Sequence, residues 1–117
     1  MKTLGAITDQ IYNQYNSPFN RSNITFNLDI SDRTLPLTHP DKLSAAIKLY
    51  FDFIIKNHPG CEITISAQAN QIVIKDNNYF FSVDNLQHLN QELQKLIPNA
   101  TLRTRIGFGA TLTLPLI

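Results

Sequence analysis

Gly107-Phe108-Gly109-Ala110-Thr111-Leu112-Thr113-Leu114-Pro115 is the stretch that decides the fold. Two glycines one residue apart mark a turn. The segments on either side, 100–106 and 110–115, read as the last two strands of a sheet, joined at Gly107-Phe108-Gly109. Upstream, Leu86, Leu89, Leu93, Leu96 and Ile97 recur at helical spacing. Ser82 is placed to cap that helix, and Pro98-Asn99 ends it. Before it, a polar Asp76-Asn77-Asn78 leads into a short strand expected over Tyr79–Phe81. Residues 62–67 and 71–76 read as two strands of a hairpin turning at Gln68-Ala69-Asn70.

Further upstream, Pro40 suits the first position of a helix, and Asp41 suits the positive end of its dipole. That helix runs to about Asn57 and stops at Pro59-Gly60. A short extended piece is expected around Thr34–Leu37. Residues 24–30 alternate, with Ile24, Phe26, Leu28 and Ile30 on one side and Thr25, Asn27 and Asp29 on the other. This is the pattern of a half-buried strand. Leu4, Ile7, Ile11 and Tyr15 give a first helix over 4–15. Asn16-Ser17-Pro18 should end it, because proline disfavours a helical residue before it. Helices fall between strand pairs, so they should pack on one face of a mostly antiparallel sheet. The expected class is α+β, a two-layer α/β sandwich with a mixed, mostly antiparallel sheet and about three helices on one face, forming one domain over 1–117 in which residues 1–20 are the N-terminal helix and its lead-in.

Composition excludes several function classes. The chain has 117 residues, enough for one core, and 43% are hydrophobic. Net charge is +1 and only 16% of residues are charged, so no electrostatic case exists for nucleic acid or a membrane surface. No apolar stretch approaches the length of a membrane span. One cysteine, Cys61, permits no internal disulfide and suits a reducing compartment; the cytoplasm is the expected location. His39, His58 and His88 fit no zinc spacing, so no metal site is expected. Cys61 has no adjacent base, and no Ser-His-Asp or Walker-type signature is present.

From about Ile24 onward the order of elements resembles the ATP-binding domain of histidine kinases, the Bergerat or GHKL fold. Three local matches carry the resemblance. His39-Pro40-Asp41-Lys42-Leu43 is similar to the family's D-P-x-x-L helix start. Gly60 to Asp76 is similar to the hairpin that ends in the aspartate of its D-x-G-x-G box. Residues 107–115 are similar to its C-terminal G-x-G-T-x-F-x-L-x-L-P.

The resemblance implies a nucleotide site, and this sequence departs from it residue by residue. The two asparagines of the family's Asn box fall at Leu49 and Phe53, and hydrocarbon offers Mg²⁺ no oxygen. Lys56 matches the lysine that often follows. Asp76 matches the adenine-contacting aspartate, but the two glycines of its box fall at Asn78 and Phe80. The second glycine box and the lid are missing. The chain has four glycines, and none lies between Gly60 and Gly107. A triphosphate needs free backbone N–H groups with room around them.

The expectation is therefore a non-catalytic pseudo-ATPase domain of a bacterial two-component signalling protein, with no cofactor and no metal, in which Asp76 and Lys56 are vestigial. The alternative is a divergent nucleotide-binding kinase catalytic domain. Asp76 reads either as a residual purine contact or as a strand-end cap of the Asn77-Asn78 turn. Lys56 continues a stripe of Ser44, Lys48 and Asp52, the pattern of a solvated helix edge. Beyond the core face of the helix at 43–55 lie surplus apolar residues: Leu49, Phe51, Phe53 and Ile55. Leu49 and Phe53 read as filling a collapsed pocket, together with Phe80 or Phe81; the other reading is an exposed patch that docks a protein. The partner-facing candidates are Leu49, Phe53, Tyr79 and Phe80, and the partners expected are a response regulator, a kinase or a second copy of the chain.

Overall fold

The computed structural model describes residues 3–30, 34, 37, 39–57, 60–68, 71–77, 83–105 and 109–115. Eight elements follow one another: α1 (Leu4–Arg21), β1 (Thr25–Asp29), α2 (Pro40–Asn57), β2 (Glu62–Gln68), β3 (Gln71–Asp76), α3 (Val83–Leu96), β4 (Thr101–Arg105) and β5 (Gly109–Pro115). The strands form one sheet in the order β1-β2-β3-β5-β4. β1 and β2 pair in parallel because α2 carries the chain back between them, and every other pair is antiparallel.

Register explains the core. Phe26, Ile63, Asp76, Ala110 and Thr104 are paired neighbours across one row. Leu28, Ile65, Ile74, Leu112 and Leu102 form the next. Ile63, Ile65, Ile72, Ile74, Leu112 and Leu114 are all buried under the helices. The opposite face carries Thr25, Asn27, Glu62, Thr64, Lys75, Thr111 and Arg103, polar side chains at the alternate positions. α2 packs against both α1 and α3, α1 also covers β1, and α3 covers β4. The sandwich has two layers, as the sequence pattern implied.

α1 departs from expectation. It does not stop at Asn16 but runs through Pro18 to Arg21. A proline inside a helix costs about 3 kcal/mol. Phe19 offsets that cost: it is buried and lies against Tyr15, Phe26 and Phe51, with ring centroids 5.7, 5.6 and 5.1 Å away. Burying one phenylalanine contributes about 1.5–3 kcal/mol and each aromatic pair about 0.5–1.5. Ending the helix before Pro18 would forfeit those contacts. The N-terminus is capped by Thr3, whose Oγ1 accepts from the Ala6 N–H at 3.3 Å.

The other bounds match closely. α2 and β3 begin and end at the residues the sequence pointed to. Gly109, expected in the last turn, belongs to β5. The expected strand at Tyr79–Phe81, the Ser82 cap and most of the extended piece at 34–37 lie outside the described residues, as do Gly107 and Phe108.

Candidate functional site

The inner end of β3 is where the family's nucleotide aspartate would stand. Ile72, Ile74 and Asp76 share the core face by simple alternation, and Asp76 is 1% exposed. Asp76 is thus buried at the strand end, and Asn78, part of the turn it is read as capping, lies outside the described residues. Capping at this end falls to Asn77, whose Oδ1 accepts from the Glu62 N–H at 2.7 Å while its own N–H donates to the Glu62 carbonyl at 3.1 Å.

Two buried groups surround Asp76. Cys61 is buried, and burial first, then the charge of Asp76, push its thiol up to about 12. Tyr50 comes from the core face of α2. Burial, then the charge of Asp76, then Cys61 drive its hydroxyl well above the ordinary range. The Tyr50 Oη is buried and has no hydrogen-bond partner among the described residues. Neither group is a nucleophile at neutral pH: the thiol stays protonated, and so does the phenol.

β5 closes on this cluster from one side. Gly109 has φ +90°, and a Cβ built on it would lie 1.9 Å from the Asp76 carbonyl oxygen. The glycine is therefore needed where β5 presses against the end of β3.

α2 places the two positions of the Asn box. Leu49 and Phe53 lie one turn apart, both half-buried and packed against the core. Leu49 lines a groove between α2 and α3 with Ala45, Lys48, Asp52, Glu92, Lys95 and Leu96. Of the four surplus apolar residues, Phe51 proves to be core, fully buried among the aromatic rings that α1 and β1 bring to it, and Ile55 is half-buried like Leu49 and Phe53. Lys56 is exposed on the last turn, as its stripe implied. Asp52 in the same stripe is exposed yet engaged: the Tyr15 hydroxyl donates to its Oδ1 at 2.7 Å, tying α1 to α2 across 37 residues. Burial first, then the hydrogen bond and the charge of Asp52, raise the Tyr15 hydroxyl. Tyr79 and Phe80 lie outside the described residues. Among the described residues no cluster of His, Cys, Asp or Glu could hold a metal ion, and no helix is long and apolar enough to cross a membrane.

Sequence reasoning missed Tyr50 and Cys61 as neighbours of Asp76. The signal was present in part: Cys61 and Ile63 share the inward face of the β2 segment, as Ile74 and Asp76 share that of β3.

No family model matches the sequence, and no curated protein matches it. Solved structures do. The cytoplasmic segment of histidine kinase QseC superposes with a TM-score of 0.74 at 14% identity, over 98% of this chain and 75% of that one. The catalytic domain of histidine kinase ThkA, in a nucleotide-free form, gives 0.73 at 10% identity, over 99% and 97%. The histidine kinase domain of the E. coli osmosensor EnvZ gives 0.68 at 14%, over 98% and 87%. The chain has the fold of the histidine kinase catalytic, or ATPase, domain. The shared architecture takes in α1 as well, and so begins earlier than the Ile24 at which the sequence motifs first pointed to it.

Proposed function

We propose that residues 1–117 form a non-catalytic pseudo-ATPase domain of a bacterial, cytoplasmic two-component signalling protein, acting by protein contact. The observation that carries this reading is the state of Asp76: 1% exposed, at the core end of β3, where its charge acts on the buried Cys61 thiol and the buried Tyr50 phenol. An aspartate so enclosed is committed to the core. Supporting it, the Asn-box positions hold Leu49 and Phe53, which bring no oxygen to a metal. Only residues 77–82 separate β3 from α3, where a lid and a phosphate-binding loop would have to fit.

Partner contact falls to the α2 side of the molecule: Leu49 and Phe53, with Tyr79 and Phe80 following β3. In the groove between α2 and α3, half-buried Leu49 and Leu96 lie among Lys48, Asp52, Glu92 and Lys95, which resembles the apolar centre and charged rim of a protein interface. A receiver domain, a kinase or a second copy of the chain is the partner proposed. The second reading, a divergent nucleotide-binding kinase domain, is favoured by one observation: the unpartnered Tyr50 hydroxyl beside Asp76.

Calorimetric titration with ATP and ADP, with and without Mg²⁺, decides between them. No heat of binding is expected. Binding that Asp76→Ala abolishes would overturn the proposal. In the same preparation, Phe53→Ser with Phe80→Ser should abolish capture of the partner and leave the circular dichroism spectrum unchanged.

A further inference from the structure

At the other end of the sheet from Asp76 lies a cavity of about 230 Å³. Pro115, which lines it, pairs with Gln71, at the opposite end of the β3–β5 ladder from the Asp76–Ala110 pair. Three elements meet there: the start of α2, the end of α3 and the end of β5. The floor is apolar and deep, since Leu37 and Leu43 are each 3% exposed. Leu96, Ile97 and Pro115, all half-buried, form the walls. His39, Lys42 and Asn99 are exposed and stand at the mouth.

Polarity therefore changes in one direction, from hydrocarbon at the floor to hydrogen-bond donors at the rim. Among the described residues, the lining holds no carboxylate. Asp41, the nearest acidic residue in sequence, is exposed and is not part of it. Lys42 brings an ammonium that donates and cannot accept, and Asn99 brings an amide that donates. Size narrows the occupant. A cavity of about 150 Å³ takes benzene, and drug-sized ligands need roughly 300–1,000 Å³.

We propose that this cavity binds a small apolar monocarboxylate, with a body about the size of a phenyl ring seated between Leu37, Leu43 and Leu96 and its carboxylate at Lys42 and Asn99. The acid's hydrocarbon leaves water for an apolar floor, and the anion meets a charge-assisted donor while half in solvent. A cation would face Lys42 without a counter-charge. A neutral amide would lose the charged contact.

The probe is 3-phenylpropionate, titrated into the ¹⁵N-labelled full chain and followed by amide chemical shifts. The expected result is saturable binding with a dissociation constant near or below about 1 mM, with shifts centred on Leu43, Leu96 and Ile97. 3-Phenylpropionamide and the Lys42→Met variant should each weaken it by about fivefold to tenfold. Lys42 is exposed, so the variant keeps the fold, and its unperturbed spectrum verifies that. Equal affinity for acid and amide, equal affinity of Lys42→Met and the unaltered chain, shifts centred elsewhere, or no saturation by about 10 mM would each overturn the assignment. The readout is independent of nucleotide, so its failure leaves the pseudo-ATPase reading untouched, and the reverse holds too.

Discussion

Replacing Gly109 by alanine tests the tightest contact in the sheet, and the molecule supplies its own control. Gly109 and Gly60 have nearly the same backbone twist, φ +90° and +83°. Alanine at either position incurs the left-handed penalty, about 1–2 kcal/mol. Their surroundings differ. A Cβ at Gly60 meets nothing within 4 Å. One at Gly109 meets the Asp76 carbonyl oxygen at 1.9 Å and the Asn77 Cα at 2.9 Å. Those are backbone atoms at the end of central strand β3 and just after it, and cannot rotate away. Relief requires β5 to lift from β3 at the Asp76–Ala110 pair, losing about one or two ladder hydrogen bonds at roughly 1 kcal/mol each. It also loosens the packing of Ala110 against the core, which is about one methyl group's worth of burial. The sum for Gly109→Ala is about 3–5 kcal/mol, against about 1–2 for Gly60→Ala. For a chain of this size each kcal/mol moves the melting temperature by about 4 °C. Thermal denaturation followed by circular dichroism should show a drop of roughly 12–20 °C for Gly109→Ala and roughly 4–8 °C for Gly60→Ala. If the two variants melt together, the close approach of β5 to Asp76 does not exist and the cluster around Asp76 is built differently.

The unpartnered Tyr50 hydroxyl gives a second prediction: Tyr50→Phe removes a buried polar atom at no loss of a hydrogen bond, so it should be neutral or stabilise by about 1 kcal/mol. A urea midpoint that falls by more than about 1 kcal/mol equivalent at constant slope would show that the hydroxyl has a partner. A third concerns pH. The Cys61, Tyr15 and Tyr50 acids all titrate higher in the folded chain than in the unfolded one, so folding holds their protons. The associated stability is complete below pH 9, where unfolded cysteine is still protonated, and is lost as pH rises from 9 toward the folded value of about 12, by at most about 1.4 kcal/mol per pH unit for each group. Urea midpoints should be flat from pH 7 to about 8.5 and fall above 9, and Cys61→Ala should delay the fall to the tyrosine range near 10. A curve that is unchanged by that substitution would refute the role given to the thiol.

Most of the fold was legible because it rests on periods. α2 and β3 carry their bounds in local chemistry, Pro40 and Asp41 at one end and Pro59-Gly60 after the other. What was not legible depends on partners far away in sequence. Pro18 reads as a stop until Phe19 is seen against Phe26 and Phe51. Phe51 reads as surplus until α1 is seen to cover a second side of α2, which makes α2 apolar over more than the single face a surface helix needs. The Tyr15–Asp52 bond joins residues on two helices, and no spacing in the chain announces it. Asp76 shows how much a period alone conveys: its place in the Ile72, Ile74, Asp76 alternation puts it inside, at the strand end that leads into Asn77.

That outcome separates what the fold needs from what a nucleotide site needs. The rows running through Leu28, Ile65, Ile74, Leu112 and Leu102 ask only for hydrocarbon of suitable volume at every second position, and many residues meet that demand. This is why the architecture persists in proteins sharing 10–14% of their residues with this chain. A metal-chelated triphosphate asks for particular atoms at particular places, and one substitution removes an atom outright. α2 carries both demands on different sides. Ile47, Tyr50 and Ile54 hold it to the sheet, whereas Leu49 and Phe53 are turned toward its half-buried flank. On the function proposed above, hydrocarbon on that flank in place of oxygen ligands would leave the sheet-facing side intact and add apolar contact with the core. The fold would then outlive the chemistry, and the flank would supply the material of the proposed protein-contact surface.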